Sequence, residues 1–152
     1  MASFVTAADA LAAAVEIEAR GRKFYENLAE IAQEKDRAFF IEMAGEEVAH
    51  EEVFKGMLKR IGGLPLPPGC TDEDYLLYVQ DLLDSHCLFI EGFTGRALES
   101  PLDSAIQLEK DTMLFFQELE KMVPKAEQKH VRECAQEEMK HLRMLIVKKQ
   151  AR

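Results

Sequence analysis

The sequence predicts an all-α chain: a four-helix bundle in which two antiparallel helix pairs are joined by a long crossover carrying a shorter helix. Three observations predict it. Apolar residues recur at alternating steps of three and four along four long stretches, and no strand pattern competes with them. The breakers Gly62, Gly63, Pro65, Pro67, Pro68 and Gly69 gather in one place. The second half also repeats the first without a gap at an offset of 91, matching Ala14 to Ala105, Phe24 to Phe115, Leu28 to Leu119, Ala44 to Ala135 and Glu46 to Glu137.

Taken in order, the first helix is expected to begin near Thr6, where Thr6-Ala7-Ala8-Asp9 forms a capping box, and to run to about Gln33. Its seam is Leu11, Ala14, Glu18, Gly21, Tyr25, Leu28, Ala32. Glu34-Lys35 is the predicted short link to a second helix from about Asp36 to Ile61, with the seam Phe40, Met43, Glu47, His50, Phe54, Met57. Gly62-Gly63 stops it. A capping box at Thr71–Asp74 then opens a shorter helix through roughly Ile90, and Gly92 and Gly95 loosen the chain beyond it. Ser100-Pro101 offers an N-cap and a first-turn proline for the third main helix, with the seam Leu102, Ala105, Glu109, Thr112, Phe116, Leu119. After Pro124 the fourth carries Val131, Cys134, Glu138, His141, Leu145. The expected layout is one domain over 1–152: helix pair 6–61, crossover 62–100, helix pair 101–150.

Composition narrows the function. With 47% apolar residues, 152 residues can bury a core without staples. A net charge of −9 argues against nucleic acid, which needs clustered Lys and Arg. Cys70, Cys87 and Cys134 lie far apart with no Cys-x-x-Cys, which excludes an iron–sulfur or rubredoxin-type knuckle and fits a reducing cytoplasm. Met1–Val5 has no basic leader region and no apolar run reaches membrane length, so a cytoplasmic location is expected, with no membrane partner.

Each seam is apolar except at its middle, where Glu18, Glu47 with His50, Glu109, and Glu138 with His141 stand. Glu47 follows Glu18 by 29 residues, and Glu138 follows Glu109 by 29. Four core-facing carboxylates would repel one another or protonate, and no Lys or Arg sits at the central seam positions. Two divalent ions would neutralise them, with the histidines neutral. Glu-x-x-His places both ligands on one face a turn apart, so Glu47 with His50 is expected to hold one ion and Glu138 with His141 the other, while Glu18 and Glu109 bridge or cap. Oxygen-rich ligation with one imidazole per ion suits iron or manganese, and zinc could occupy the same ligands.

These motifs resemble the di-iron domain of rubrerythrins and their ferritin-like relatives over essentially the whole chain. Glu18-Ala-Arg-Gly-Arg-Lys-Phe24-Tyr25 resembles their first ligand helix, Glu46-Glu47-Val-Ala-His50 the second, Glu109 with Phe115-Phe116 the third, and Glu137-Glu138-Met-Lys-His141 the fourth. The resemblance implies a ferritin-like bundle, two iron ions, and reduction of hydrogen peroxide or dioxygen. Three departures matter. Thr112 stands where rubrerythrins carry a further Glu, so their redox-linked ligand switch does not carry over from the resemblance. Their C-terminal rubredoxin domain is missing, so electrons are expected from a separate donor such as a rubredoxin or a reductase. The chain ends at Lys148-Lys149-Gln150-Ala151-Arg152 without the fifth helix of cage-forming ferritins, which weakens a storage-shell reading. A homodimer is expected by the same resemblance.

Tyr25, two turns beyond Glu18, is placed to hydrogen-bond a ligand carboxylate or supply an electron; its counterpart is Phe116. Cys134 reads as small buried filler, His86 and His130 as surface or packing residues, Tyr75 and Tyr78 as anchors for the crossover helix. Glu46, Glu137, Glu51 and Glu52 are rotated off the seam, as solvated groups or neighbours of the ligands. Two further functions stay open beside the oxidoreductase: a ferroxidase or iron-binding protein of iron homeostasis, and a metal-free helical interaction module.

Overall fold

A computed structural model of the chain describes residues 6–151; Met1–Val5, read above for a leader, and Arg152 lie outside them. The described residues form six α-helices: α1 Ala7–Ile31, α2 Glu34–Ile61, α3 Glu73–Asp84, α4 Phe93–Ala97, α5 Pro101–Met122 and α6 Gln128–Gln150. One isolated bridge, between Thr6 and Pro65, is the sole strand-like pairing among them. The four predicted main helices are α1, α2, α5 and α6, and the crossover holds α3 and α4.

Local chemistry sets the ends. Thr6 and Asp9 exchange side-chain and backbone hydrogen bonds in the expected capping box. Gly62 closes α2 at φ 52°, a conformation that a β-carbon would strain. Two boundaries differ from expectation. Glu34 and Lys35 belong to α2, because their acidic first turn suits a helix N-terminus, and Ala32-Gln33 is the link. The crossover helix stops at Asp84 rather than near Ile90. Ser85 turns its hydroxyl back onto the Asp81 carbonyl at 2.7 Å, and a 3-10 turn over Cys87–Phe89 follows. Its N-cap is Asp72, which accepts the Tyr75 amide at 3.0 Å.

The helices pack chiefly in sequential pairs, α1 along α2 and α5 along α6, while α2 and α6 touch sparsely. Tyr25, Phe54, Phe115 and Phe116 are wholly buried between the pairs. Each such side chain contributes about 1.5–3 kcal/mol of hydrophobic stabilisation. Tyr75 anchors α3 to α5 by donating to Glu118 at 3.0 Å, whereas Tyr78 is 47% exposed and anchors nothing, since it lies on the outer face of α3. The three cysteines are buried and free, as filler would be. No helix among the described residues is long and apolar enough to cross a membrane.

Candidate metal centre

The mid-height positions of four helices meet in the core. Glu18 comes from α1, Glu47 and His50 from α2, Glu109 from α5, and Glu138 and His141 from α6; none exceeds 3% exposure. Their ligating atoms form two overlapping sets, each with one atom per residue and all atoms within 4.8 Å. One set is Glu18, Glu47, His50 and Glu138; the other is Glu47, Glu109, Glu138 and His141. Glu47 and Glu138 are common to both. The expected division is therefore revised: the Glu of each Glu-x-x-His lies between the two sets, and Glu18 and Glu109 cap opposite ends.

Both imidazoles turn Nδ1 inward. His50 Nδ1 lies 2.8 Å from Glu138 and 3.6 Å from Glu18, and His141 Nδ1 lies 3.5 Å from Glu138 and 3.9 Å from Glu109. Their Nε2 atoms face outward onto a second pair of acids that crosses the bundle. His50 Nε2 meets Glu137 at 2.7 Å, and His141 Nε2 meets Glu46. With a cation bound in place of the inward proton, the outer carboxylate would keep a proton on Nε2 and leave the inward nitrogen's lone pair for the cation. Sequence reasoning left Glu46 and Glu137 as off-seam acids; the signal available was that the repeat matches them to each other.

Without a cation the cluster is poorly satisfied. Seven buried side-chain atoms among the described residues have no hydrogen-bond partner, and six belong here: both oxygens of Glu18, one each of Glu47, Glu109 and Glu138, and His141 Nδ1. Burial pushes the Glu18, Glu47 and Glu109 carboxyls well above the usual range, and for Glu47 and Glu109 the charge of Glu138 is the next cause. Burial acts on Glu138 too, but hydrogen bonds with Glu109, His141 and His50 outweigh it and hold that carboxyl below the usual range. Burial would likewise lower His50, yet its pairing with Glu138 and Glu137 raises it to about 10. No Lys or Arg ion pair reaches the four central carboxylates among the described residues, and Lys148 is paired with Asp36 at 2.8 Å. The orphaned acceptors and the donor set fit a pair of divalent ions, with each ion able to draw on three carboxylates and one imidazole.

The surroundings are less symmetric. Tyr25 donates to Glu109 Oε1 at 2.6 Å, as its seam position suggested, and its phenol is held well above the usual range by burial and then by Glu109. A β-carbon on Gly21 would stand 2.9 Å from Glu47 Oε2, so glycine there leaves room for that carboxylate. The counterpart of Gly21 is Thr112, whose hydroxyl lies 2.9 Å from His86 Nε2. Of the two roles expected for His86, surface or packing, the structure shows packing. The residue is fully buried, because the turn after α3 folds its ring inward onto α5. His130 stays at the surface, 3.8 Å from Glu127. A third donor cluster, His86, Cys87 and Asp111, has its polar atoms already engaged: Asp111 accepts the Cys87 amide at 2.9 Å and Gln107 at 2.7 Å. Between α2 and α6, a cleft of about 260 Å³ lined by Phe39, Met43, Glu46, Glu137 and Met144 reaches His141 from outside.

Known proteins resemble this chain in part of its sequence and in its fold. Residues 9–66 match the family model for rubrerythrin, which covers α1 and α2. The whole fold is similar to a crystal structure from Thermotoga maritima, described provisionally as a ferritin-like diiron-carboxylate protein. The two share 25% identity over 99% of this chain and 98% of that one, with a TM-score of 0.72. No curated protein matches the sequence.

Proposed function

We propose, for a chain with a ferritin-like fold and a rubrerythrin match over its first helix pair, that the cluster is a di-iron centre reducing hydrogen peroxide or dioxygen. The observation that carries the reading is the convergence of six unpartnered buried atoms from four helices on one volume. A core packs better and is more stable without four acids, so their presence asks for a cation. Oxygen-rich donors with one imidazole per ion favour iron or manganese over a structural zinc, whose sites are richer in sulfur and nitrogen.

When bound, two ferrous ions would supply the two electrons that turn H2O2 and two protons into two waters. The chain's own groups set the conditions for that chemistry. Glu47 and Glu138 hold the two positions together, Glu18 and Glu109 close the ends, and Glu46 and Glu137 keep each imidazole in its ligating tautomer. The apolar core around Phe54 and Phe116 excludes bulk water. Re-reduction requires a separate electron donor, such as a rubredoxin or a reductase. Anaerobic protein loaded with ferrous iron is expected to be oxidised by peroxide much faster than free iron. Failure to bind iron, or oxidation at the rate of the free ion, would contradict the proposal.

A second reading, ferroxidase and iron handling, is favoured by the cleft beside His141, where the acids Glu42, Glu46 and Glu137 outnumber Lys140 and would attract a cation. A preference for dioxygen over peroxide, together with ferric iron retained beyond two ions per chain, would select it.

A further inference from the structure

Besides Tyr25 and its counterpart Phe116, the repeat breaks beside the site at Thr112, and the crossover delivers a buried histidine to it. His86 Nδ1 accepts the Leu88 backbone N–H at 3.2 Å. In the neutral ring the proton must then reside on Nε2, which donates to Thr112 Oγ1 at 2.9 Å. Burial lowers the His86 ring to about 4, and the charges of Asp111 and Glu138 only partly offset it, so neutrality is its resting state. Phe89 packs its ring against the imidazole, 5.8 Å between centroids, and both ring nitrogens are fixed from opposite sides. The imidazole is thus a locked donor.

Its consequence is for the hydroxyl. A threonine that accepts from His86 still has one O–H to give, and no acceptor for it stands among the described residues. Thr112 is 1% exposed and lies one turn past Glu109, on the line that faces the cluster. Through the 91-residue relation it holds, relative to Glu138, the place that Gly21 holds relative to Glu47, where a β-carbon would come within 2.9 Å of the carboxylate. The first helix pair has no such donor, since Gly21 carries no side chain.

We propose that the Thr112 hydroxyl donates a hydrogen bond to the small oxygen species reduced in the site, and that His86 is the residue that positions it. The inference rests on the di-iron reading and adds the group that touches the substrate. A neutral donor beside one end of the cluster favours an anionic, oxygen-centred ligand and gives the two ends unequal roles. The roles differ in kind: Thr112 would contact the ligand, while His86 acts through Thr112.

The test uses two measurements. The first is the ring ¹⁵N spectrum of the full chain loaded with zinc, which needs no turnover. The expected result is a His86 ring protonated on Nε2 and not on Nδ1; a proton on Nδ1 overturns the proposal. The second is azide affinity of the ferric-loaded protein, read by absorption beside metal content. Thr112→Val is expected to weaken azide about tenfold, the effect of losing one hydrogen bond to an anion. Thr112→Ser should stay within about twofold, His86→Gln, which keeps an N–H donor, within about threefold, and His86→Leu should match the valine variant. Two ions bound with unchanged azide affinity in Thr112→Val overturns this inference alone, as does a wild-type protein that holds two ions but takes no azide. A wild-type protein that holds no pair of ions overturns the di-iron reading and this inference together.

Discussion

In the α1–α2 pair the residue one turn past the capping carboxylate is Gly21; in the α5–α6 pair it is Thr112, gripped by a histidine from the crossover. One turn further, α1 presents Tyr25 and α5 presents Phe116. The six candidate ligands and the outer acids Glu46 and Glu137 obey the repeat, as do Phe24 with Phe115 and Ala44 with Ala135, whereas Gly21 with Thr112 and Tyr25 with Phe116 do not. Glu109 receives the Tyr25 phenol, whereas neither oxygen of Glu18 has a hydrogen-bond partner. The internal repeat thus keeps the residues that could hold a cation, while the two positions following each capping carboxylate on its seam differ. Two ions in matching donor sets would therefore sit in unequal surroundings.

The largest effect should come from removing what both sets share. Glu47→Ala or Glu138→Ala is expected to take metal content from about two ions per chain to near none, while Glu18→Ala or Glu109→Ala should cost about one. Elemental analysis after dialysis reads the difference; equal losses at all four positions would break the division into shared and capping carboxylates. The outer acids come next. Glu46→Gln and Glu137→Gln should each weaken metal binding about 10–100-fold, because each releases the tautomer of the histidine on the opposite helix. Competition with a chromophoric chelator measures it, and a large effect for one variant only would show the symmetry to be confined to the ligands.

Tyr25→Phe tests the asymmetry directly. Wild-type protein should bind two ions with resolvably different affinities, and the variant should weaken the Glu109 end about tenfold. Calorimetric titration separates the two steps. Gly21→Ala should weaken metal binding, because Glu47 must move aside. In metal-free protein the helix-propensity gain of at most about 1 kcal/mol is offset by the same displacement, so its stability should change less than that of metal-loaded protein. Denaturant melts of metal-free and metal-loaded protein read both.

The smallest effect is on pH dependence. In metal-free protein, burial raises Glu18, Glu47 and Glu109, and His50 is held at about 10, so the folded state keeps protons that the unfolded chain has released. Stability from these groups is present at low pH and is lost as pH rises through their folded values. His86, lowered to about 4, acts in the opposite sense only below its ordinary 6.5, and Glu138, also lowered, only below the ordinary carboxylate range. The melting temperature of metal-free protein should therefore fall from pH 6.5 to about pH 8.5, while metal-loaded protein, whose ions replace those protons, should not lose stability over that range. A chelator that changes neither the midpoint nor its pH dependence would favour the metal-free interaction module.

The long helices and the six clustered residues were legible because they rest on periodicity and spacing, which one sequence carries in full. The capping box at Thr6 and the stop at Gly62 were legible for the same local reason. The sharing of Glu47 and Glu138 was not, since it depends on how four helices rotate about a common axis. For His86 the sequence left surface and packing both open, because the crossover has no repeat to read it against and a helix pattern through Ile90 hid the turn at Ser85 that folds its ring inward. The pairing of Glu46 with His141 and Glu137 with His50 crosses between helices, where sequence distance says nothing.

Anomalous scattering from a crystal of the iron-loaded chain tests the central claim most directly. Two peaks are predicted, one bounded by Glu18 and His50 and the other by Glu109 and His141, with Glu47 and Glu138 between them. A single peak, or iron at His86, Cys87 and Asp111 with none in the core, would contradict it.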